Sequence, residues 1–332
     1  MLKLKLFGSG QASVGPMTAD GCIGTTEGQS LAHFPSQQAH LLLCYLLLNS
    51  KYPHLRDQLA SVFWGEYSTQ ASRKYLRNSL WKLRQMFEEA QADLDDYLFV
   101  NDESVTFIRT SPYWLDVEIF EAAVEACQDV TGQEILLEQA NALGEAVELY
   151  VGDLLEGVDY DWCIYERERL NSLYLEALHK LMVYHAAQGS FERGLAYGER
   201  ILGQDPTREK VHLQMMRLYW LLGNRSAALA QYKRCVQILR EELGIAPLQD
   251  TTAVYQQMIH NQFSPPVQRV RGVNPPSAEA LILSTAGTTS TLATKVEKVL
   301  QRLQVLERLV DETNVELRQI ETLIHSDLLN SE

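Results

Sequence analysis

Ala71-Ser-Arg-Lys-Tyr-Leu-Arg-Asn-Ser-Leu-Trp-Lys-Leu-Arg-Gln-Met-Phe87 carries two messages on opposite sides of one helix. Leu76, Leu80, Leu83 and Phe87 step by four, three and four, which at about 100° per residue places them on one narrow stripe facing a core. Opposite that stripe lie Lys74, Asn78, Trp81 and Gln85, with Arg73, Arg77 and Arg84 on one flank and Tyr75 and Lys82 on the other. Five cations and no acid occupy these seventeen residues, in a chain whose net charge is -14. The segment reads as a helix packed on a small domain and presented to DNA, with Arg and Lys for phosphates and Arg and Asn for base edges. The competing reading is a solvated basic face on a core helix. The surrounding chain has to decide between them.

At 332 residues and 46% hydrophobic composition, the chain holds about two ordinary soluble domains plus extras. Its longest apolar run, Leu41–Leu48, falls far short of the ~20 residues that span a bilayer, and Met1 to Phe7 alternates like a strand rather than a signal peptide. A cytoplasmic protein is expected. Five scattered cysteines without a Cys-x-x-Cys pair point to neither a disulfide framework nor a zinc site. Charge is uneven along the chain: residues 1–110 are nearly neutral at -1, residues 111–262 carry -11, and residues 263–332 carry -2. An acidic bulk opposes DNA at long range, but a screening length of ~8 Å leaves a local basic face usable.

Outward from the basic helix, the order of elements is informative. Leu2, Leu4 and Leu6 alternate with lysines and are followed by glycine-rich breaks, so residues 1–35 suggest a small antiparallel sheet. Ser36 caps a helix whose stripe includes Ala39, Leu42, Leu43 and Leu46 to Leu48, ending at Asn49–Pro53. A second helix is expected over His54–Trp64. Beyond the basic helix, Tyr97–Val100 and Val105–Ile108 flank Asn101-Asp-Glu-Ser104 as a β-hairpin. Sheet, three helices and hairpin make a winged helix. Leu59-Ala60, Phe63-Trp64, Ala71-Ser-Arg73, Leu76-Arg77, Leu80 and Leu83-Arg84 resemble the DNA-binding domain of the antibiotic-regulatory-protein (SARP) family, whose winged helix is of the response-regulator (OmpR) type. The resemblance implies that the helix from Ala71 is the recognition helix and Tyr97–Arg109 the wing. The wing tip here is Asp102-Glu103, so Arg109 is the better phosphate candidate.

From Tyr113 to about Phe263 the pattern turns helical, with Trp114-Leu-Asp-Val opening it. Gly189, Gly194, Leu195 and Ala196 recur 34 residues later as Gly223, Ala228, Leu229 and Ala230. A turn glycine with small residues at a helix crossing, at this period, is the tetratricopeptide signature, and Asp205-Pro206 stops one of the helices. Such stacking produces a concave binding face. Gly152–Gly157, Asp161-Trp162, Glu166–Leu170 and Arg240–Pro247 are similar to the bacterial transcriptional activator domain (BTAD) that follows the winged helix in the same family. The resemblance therefore covers about residues 1–262. Read from its residues alone, Asp161 with Arg167 and Arg169 makes structural ion pairs and helix-surface contacts rather than a catalytic pair.

Residues 264–291 are rich in Pro, Ser, Thr and Gly and read as a flexible linker. Beyond it, Leu292, Val296, Val299, Leu303, Leu306, Val310, Thr313, Leu317, Ile320 and Ile324 alternate steps of four and three. That is a heptad seam, expected as a coiled coil over 292–329 that makes homo-oligomers, with folding back on the repeats as the alternative.

The fold class expected is mainly α with a small β component: a winged helix over 1–110, a TPR-like repeat domain over 111–263, the linker, and the coiled coil. Eight histidines form no His-x-x-x-His pair, and no phosphate-binding glycine loop or receiver domain is present, so neither enzyme activity nor a cofactor or metal is expected. The function expected is a sequence-specific transcriptional regulator, an activator by the family resemblance. Double-stranded DNA would be bound through Arg73, Lys74, Arg77, Asn78, Trp81, Lys82, Arg84 and Arg109, and RNA polymerase or another regulator through the repeats. Trp81 either meets a thymine methyl or sugar or covers the helix surface. The alternative function is a scaffold that has lost DNA and assembles proteins through repeats and coiled coil.

Overall fold

A computed structural model describes residues 1–14 and 36–264. The heptad seam with Val296, Val299, Leu303, Leu306, Val310, Leu317, Ile320 and Ile324 lies outside these residues, as does the expected linker from 265 onward.

The chain opens with β1 (Leu2–Lys5) antiparallel to β2 (Gln11–Val14), Leu2 opposite Val14 and Lys5 opposite Gln11. The period-2 alternation turns Leu2, Leu4 and Leu6 fully into the core. Ser36 caps α1 (Gln37–Leu48), its hydroxyl accepting from the Ala39 amide at 3.3 Å. Seven residues of α1 are buried, which makes it the central helix of the N-terminal half. The stretch expected as one helix from His54 divides: β3 (His54–Leu55) pairs with the wing, and α2 (Arg56–Trp64) follows. Next come α3 (Thr69–Glu89) and the hairpin of β4 (Leu98–Val100) and β5 (Ser104–Phe107). Asn101 Oδ1 fixes the hairpin turn by accepting from the Glu103 and Ser104 amides at 2.9 and 2.6 Å. With β3 these strands form a three-stranded sheet in the order β3-β5-β4. The element order is that of a winged helix with an N-terminal sheet.

One departure ties the two halves together. Tyr113–Leu115, expected as the opening of a helix, is strand β6, running parallel to β1 with Leu4 opposite Leu115. The pairing occupies an edge of β1 that would otherwise leave backbone groups without partners. Immediately after it, α4 (Asp116–Glu125) begins, and the buried Asp116 carboxylate accepts from the amides of Leu6 and Phe7 at 2.9 and 3.1 Å. Burial pushes the Asp116 carboxyl up, while those backbone donors favour its charged form. The Gly8 amide bonds the Asp153 carbonyl and the Leu155 amide bonds the Leu6 carbonyl, at 2.8 and 2.9 Å. A single apolar core runs from Leu2 through Phe120 to Leu218.

The helical half continues with α5 (Leu137–Leu149), α6 (Asp161–Ala187), α7 (Phe191–Gln204), α8 (Glu209–Leu221), α9 (Arg225–Ile238) and α10 (Gln249–Ile259). The 34-residue period holds in three dimensions: Gly189 turns α6 into α7 and Gly223 turns α8 into α9, both at φ +74°. Packing of α7 on α8 also needs Gly198, where a Cβ would lie 2.8 Å from Met215 Cγ. Asp205 ends α7 as the sequence implies. A smaller cluster of Met216, Ala228, Met258 and Phe263 packs α10 onto the last repeat. The expected pairing of Asp161 with Arg167 and Arg169 does not form. Arg167 instead donates to the carbonyls of Leu154, Leu155 and Val158 in the loop before α6, and Arg169 pairs with Glu166 and Glu121.

Candidate nucleic-acid interface

The α3 helix is set in place by its apolar stripe and by one side-chain bond. Leu76, Leu83 and Phe87 are essentially fully buried and Leu80 nearly so. Ser72, buried on the same side, donates its hydroxyl to the Trp64 carbonyl at 2.7 Å and thereby holds α3 against the end of α2. The opposite face is open. Lys74, Arg77, Asn78 and Trp81 are exposed, Trp81 by 56%, and none of the charged pair makes an ion pair among the described residues.

The remaining cations are not equivalent to these. Arg73 donates from Nε and Nη2 to both carboxylate oxygens of Asp57 on α2, each at 2.6 Å. This fork holds the Asp57 carboxyl below its usual range and raises Arg73. Arg84 forms a second fork with Asp95, at 3.1 and 2.5 Å, and Arg109 pairs with Glu118 at 3.0 Å. Lys82 is half-buried and lines a cleft on the inner flank of α3. The helix that looked free of acids in sequence is therefore met by acids brought from α2 and from the turn after α3. These lie 16 and 11 positions away, beyond the reach of helical periodicity.

The wing stands beside the start of α3. Asp102 and Glu103 at its tip, together with Arg56, Asp57, Arg73 and Arg77, line a groove of about 760 Å³. Arg56 escaped the sequence reading. Its guanidinium donates to the Asn101 carbonyl at 2.9 Å and its amide to the Glu103 carbonyl at 2.9 Å, so it sits beside the turn of the wing, a position that the pairing of β3 with β5 creates. Among the described residues no group of acidic, histidine and cysteine side chains could hold a metal ion, and no helix is long and apolar enough to cross a membrane.

Residues 115–259 match the family described as the bacterial transcriptional activator domain. The chain is 24% identical over 222 residues to the regulatory protein AfsR of Streptomyces coelicolor, an alignment covering 67% of this chain and 22% of AfsR. Over 226 residues it is 24% identical to the transcriptional regulatory protein MoaR1 of Mycobacterium tuberculosis, covering 68% and 72%. It thus spans less than a quarter of AfsR but most of MoaR1. Among solved structures, Mycobacterium tuberculosis EmbR in complex with a low affinity phosphopeptide has the same fold, with a TM-score of 0.62 at 20% identity, covering 79% of this chain and 66% of that one. Residues 115–259 thus match a bacterial transcriptional activator domain behind a winged helix, an arrangement that resembles the SARP-like transcriptional regulators, and the matched relatives are themselves named as regulatory proteins.

Proposed function

We propose that the chain binds double-stranded DNA in a sequence-specific manner, with α3 in the major groove, and activates transcription. The observation that carries this reading is the open face of Lys74, Arg77, Asn78 and Trp81 on a helix whose other side is locked into a core. Arg77 and Asn78 have the donor geometry for guanine and adenine edges, and Lys74 suits a phosphate. Arg73, Arg84 and Arg109 exchange a carboxylate partner for a phosphate on docking, and Lys82 follows the backbone from the flank. Residues 1–110 serve as the DNA-binding part. Residues 111–263 present the acidic repeats to RNA polymerase or another regulator, with residues 292–329 joining copies of the chain. The site of action is the cytoplasm, and the chain performs no catalysis.

Selection from random duplex DNA tests the reading directly. One enriched motif is expected, lost when Arg73 and Arg77 are both replaced by alanine. A specific observation supports a second reading, in which the chain is a protein scaffold: the wing tip is acidic, and three of the candidate cations already have carboxylate partners. Selection without enrichment would favour that scaffold. Sedimentation reads the assembly separately, with removal of residues 292–332 expected to convert an oligomer to a monomer.

A further inference from the structure

A second concave surface lies on the inner flank of α3, between the end of α2 and the start of α6, with a volume of about 1060 Å³. Its lining is unusually aromatic. Phe63 packs against Tyr160 and Trp162 with ring centroids 5.5 and 6.2 Å apart, and Tyr75 packs against Tyr67 and Trp64 at 5.1 and 6.4 Å. Three of the tyrosines are left open to solvent, Tyr165 by 75%, Tyr67 by 55% and Tyr75 by 39%. Among the described residues, three carboxylates, Glu66, Asp159 and Asp161, stand between them against one cation, Lys82. None of the three carboxylates has a hydrogen bond or ion pair among the described residues, although elsewhere in the molecule acids repeatedly find arginine partners.

We propose that this cleft takes an arginine-bearing peptide segment of a partner protein. A guanidinium is planar, weakly hydrated and forked, so it stacks on a tyrosine face while bonding a carboxylate at its edge; an ammonium does the second but not the first. The cleft supplies both components several times over, and its net negative lining selects a cation. A small ligand would stay half in water in a cleft so open, whereas an extended segment engages separate aromatic and acidic positions along its length. Asp161 also occupies the first turn of α6, where an acid complements the helix dipole, so its carboxylate has a structural role as well. Glu66 and Asp159 lie outside that turn, and no helix terminus accounts for the exposed ring of Tyr165. Asn78 and Lys82 line the cleft and also belong to the proposed DNA face, so a bound segment would alter DNA affinity. The cleft itself stands independently of the DNA reading.

The test uses the full chain without DNA and a labelled hexapeptide of alternating glycine and arginine, read by fluorescence anisotropy. Saturable binding at one peptide per cleft is expected, with no binding of the same peptide carrying citrulline, the neutral isostere of arginine. Replacing Glu66→Gln, Asp159→Asn and Asp161→Asn together should weaken binding by about tenfold or more. A control triple of Glu125→Gln, Asp129→Asn and Glu138→Gln changes the net charge equally and should have little effect. Tyr165→Ala, at an exposed position that leaves the core intact, should weaken binding several-fold. Equal weakening by the two triples, equal binding of the citrulline peptide, unchanged binding by the cleft triple, or no saturation would each overturn the proposal. Duplex selection with the Arg73 and Arg77 variants is read without peptide, so failure of the cleft and failure of the DNA face remain distinguishable.

Discussion

The outer face of α3 and the crossing of α7 on α8 were both visible as patterns in the sequence, yet they differ in what the patterns revealed. At the helix crossing the pattern is the mechanism. Gly194 is glycine because a Cβ there would lie 3.0 Å from Leu218 on α8 and 3.3 Å from the Met182 carbonyl on α6, and Gly189 and Gly223 sit at positive φ because both turns require it; Gly198, which meets Met215, adds a close approach that the repeat did not mark. On α3 the pattern gives only the orientation of the helix. Which of its cations are available depends on Asp57 and Asp95, supplied by other elements. Steric requirements recur with the local period of the chain, whereas charge pairing depends on what the fold brings near.

The largest expected effect breaks the buried side of this comparison. Leu80→Ala leaves a cavity beneath α3 and should destabilise the N-terminal half by ~2–5 kcal/mol in chemical denaturation. The sequence preference of the remaining folded fraction should be unchanged, because Leu80 points away from the open face. A changed preference with unchanged stability would mean that the two faces of α3 have been assigned the wrong way round. Gly198→Val is the counterpart in the repeats. It forces Met215 or the α7 backbone to shift and should cost about 1–3 kcal/mol, while Gly203→Ala, with nothing within 4 Å of its added Cβ, should not destabilise.

These contrasts also mark how far the sequence could be read. The stripe of Leu76, Leu80, Leu83 and Phe87, the Ser36 cap, the wing hairpin and the 34-residue repeat were legible because each is a local rule met by adjacent turns of chain. Strand β6 was not. Tyr113–Leu115 is only three residues long and takes its conformation from β1, more than a hundred positions earlier. The same limit hid Arg56 beside the wing's turn, the Arg73 and Arg84 forks, and the bonds from Arg167 to three carbonyls. Each needs a partner that no window of the sequence contains.

Turning to the open side of α3, Arg77→Ala should reduce affinity for the selected duplex by ~1–3 kcal/mol and relax preference at one base position, if its guanidinium reads a guanine. Lys74→Ala should instead weaken all duplexes evenly and flatten the dependence of log K on log salt by about one unit. Titrations at two or more salt concentrations separate these outcomes. An even loss for Arg77→Ala would move that residue from base reading to phosphate binding.

The smallest effect decides what the Arg73 fork does. Arg73 and Asp57 are both exposed, so water screens their attraction and the pair contributes little to stability. In docking, however, the pair sets a choice, because Arg73 cannot keep both Asp57 oxygens and also grip a phosphate. Asp57→Asn removes the competing carboxylate and one negative charge beside the DNA. It should leave the denaturation midpoint nearly unchanged and tighten binding at low salt. It should also steepen the salt dependence by about one unit as Arg73 displaces a further counterion. Replacing Arg73 by alanine should abolish that gain in the Asp57→Asn protein and matter much less with Asp57 present, a coupling that a double-mutant cycle measures. The fork between Arg84 and Asp95 provides the parallel case through Asp95→Asn. A salt slope that stays the same in both variants would mean that these arginines remain structural in the complex, leaving Lys74, Arg77 and Asn78 as the working face.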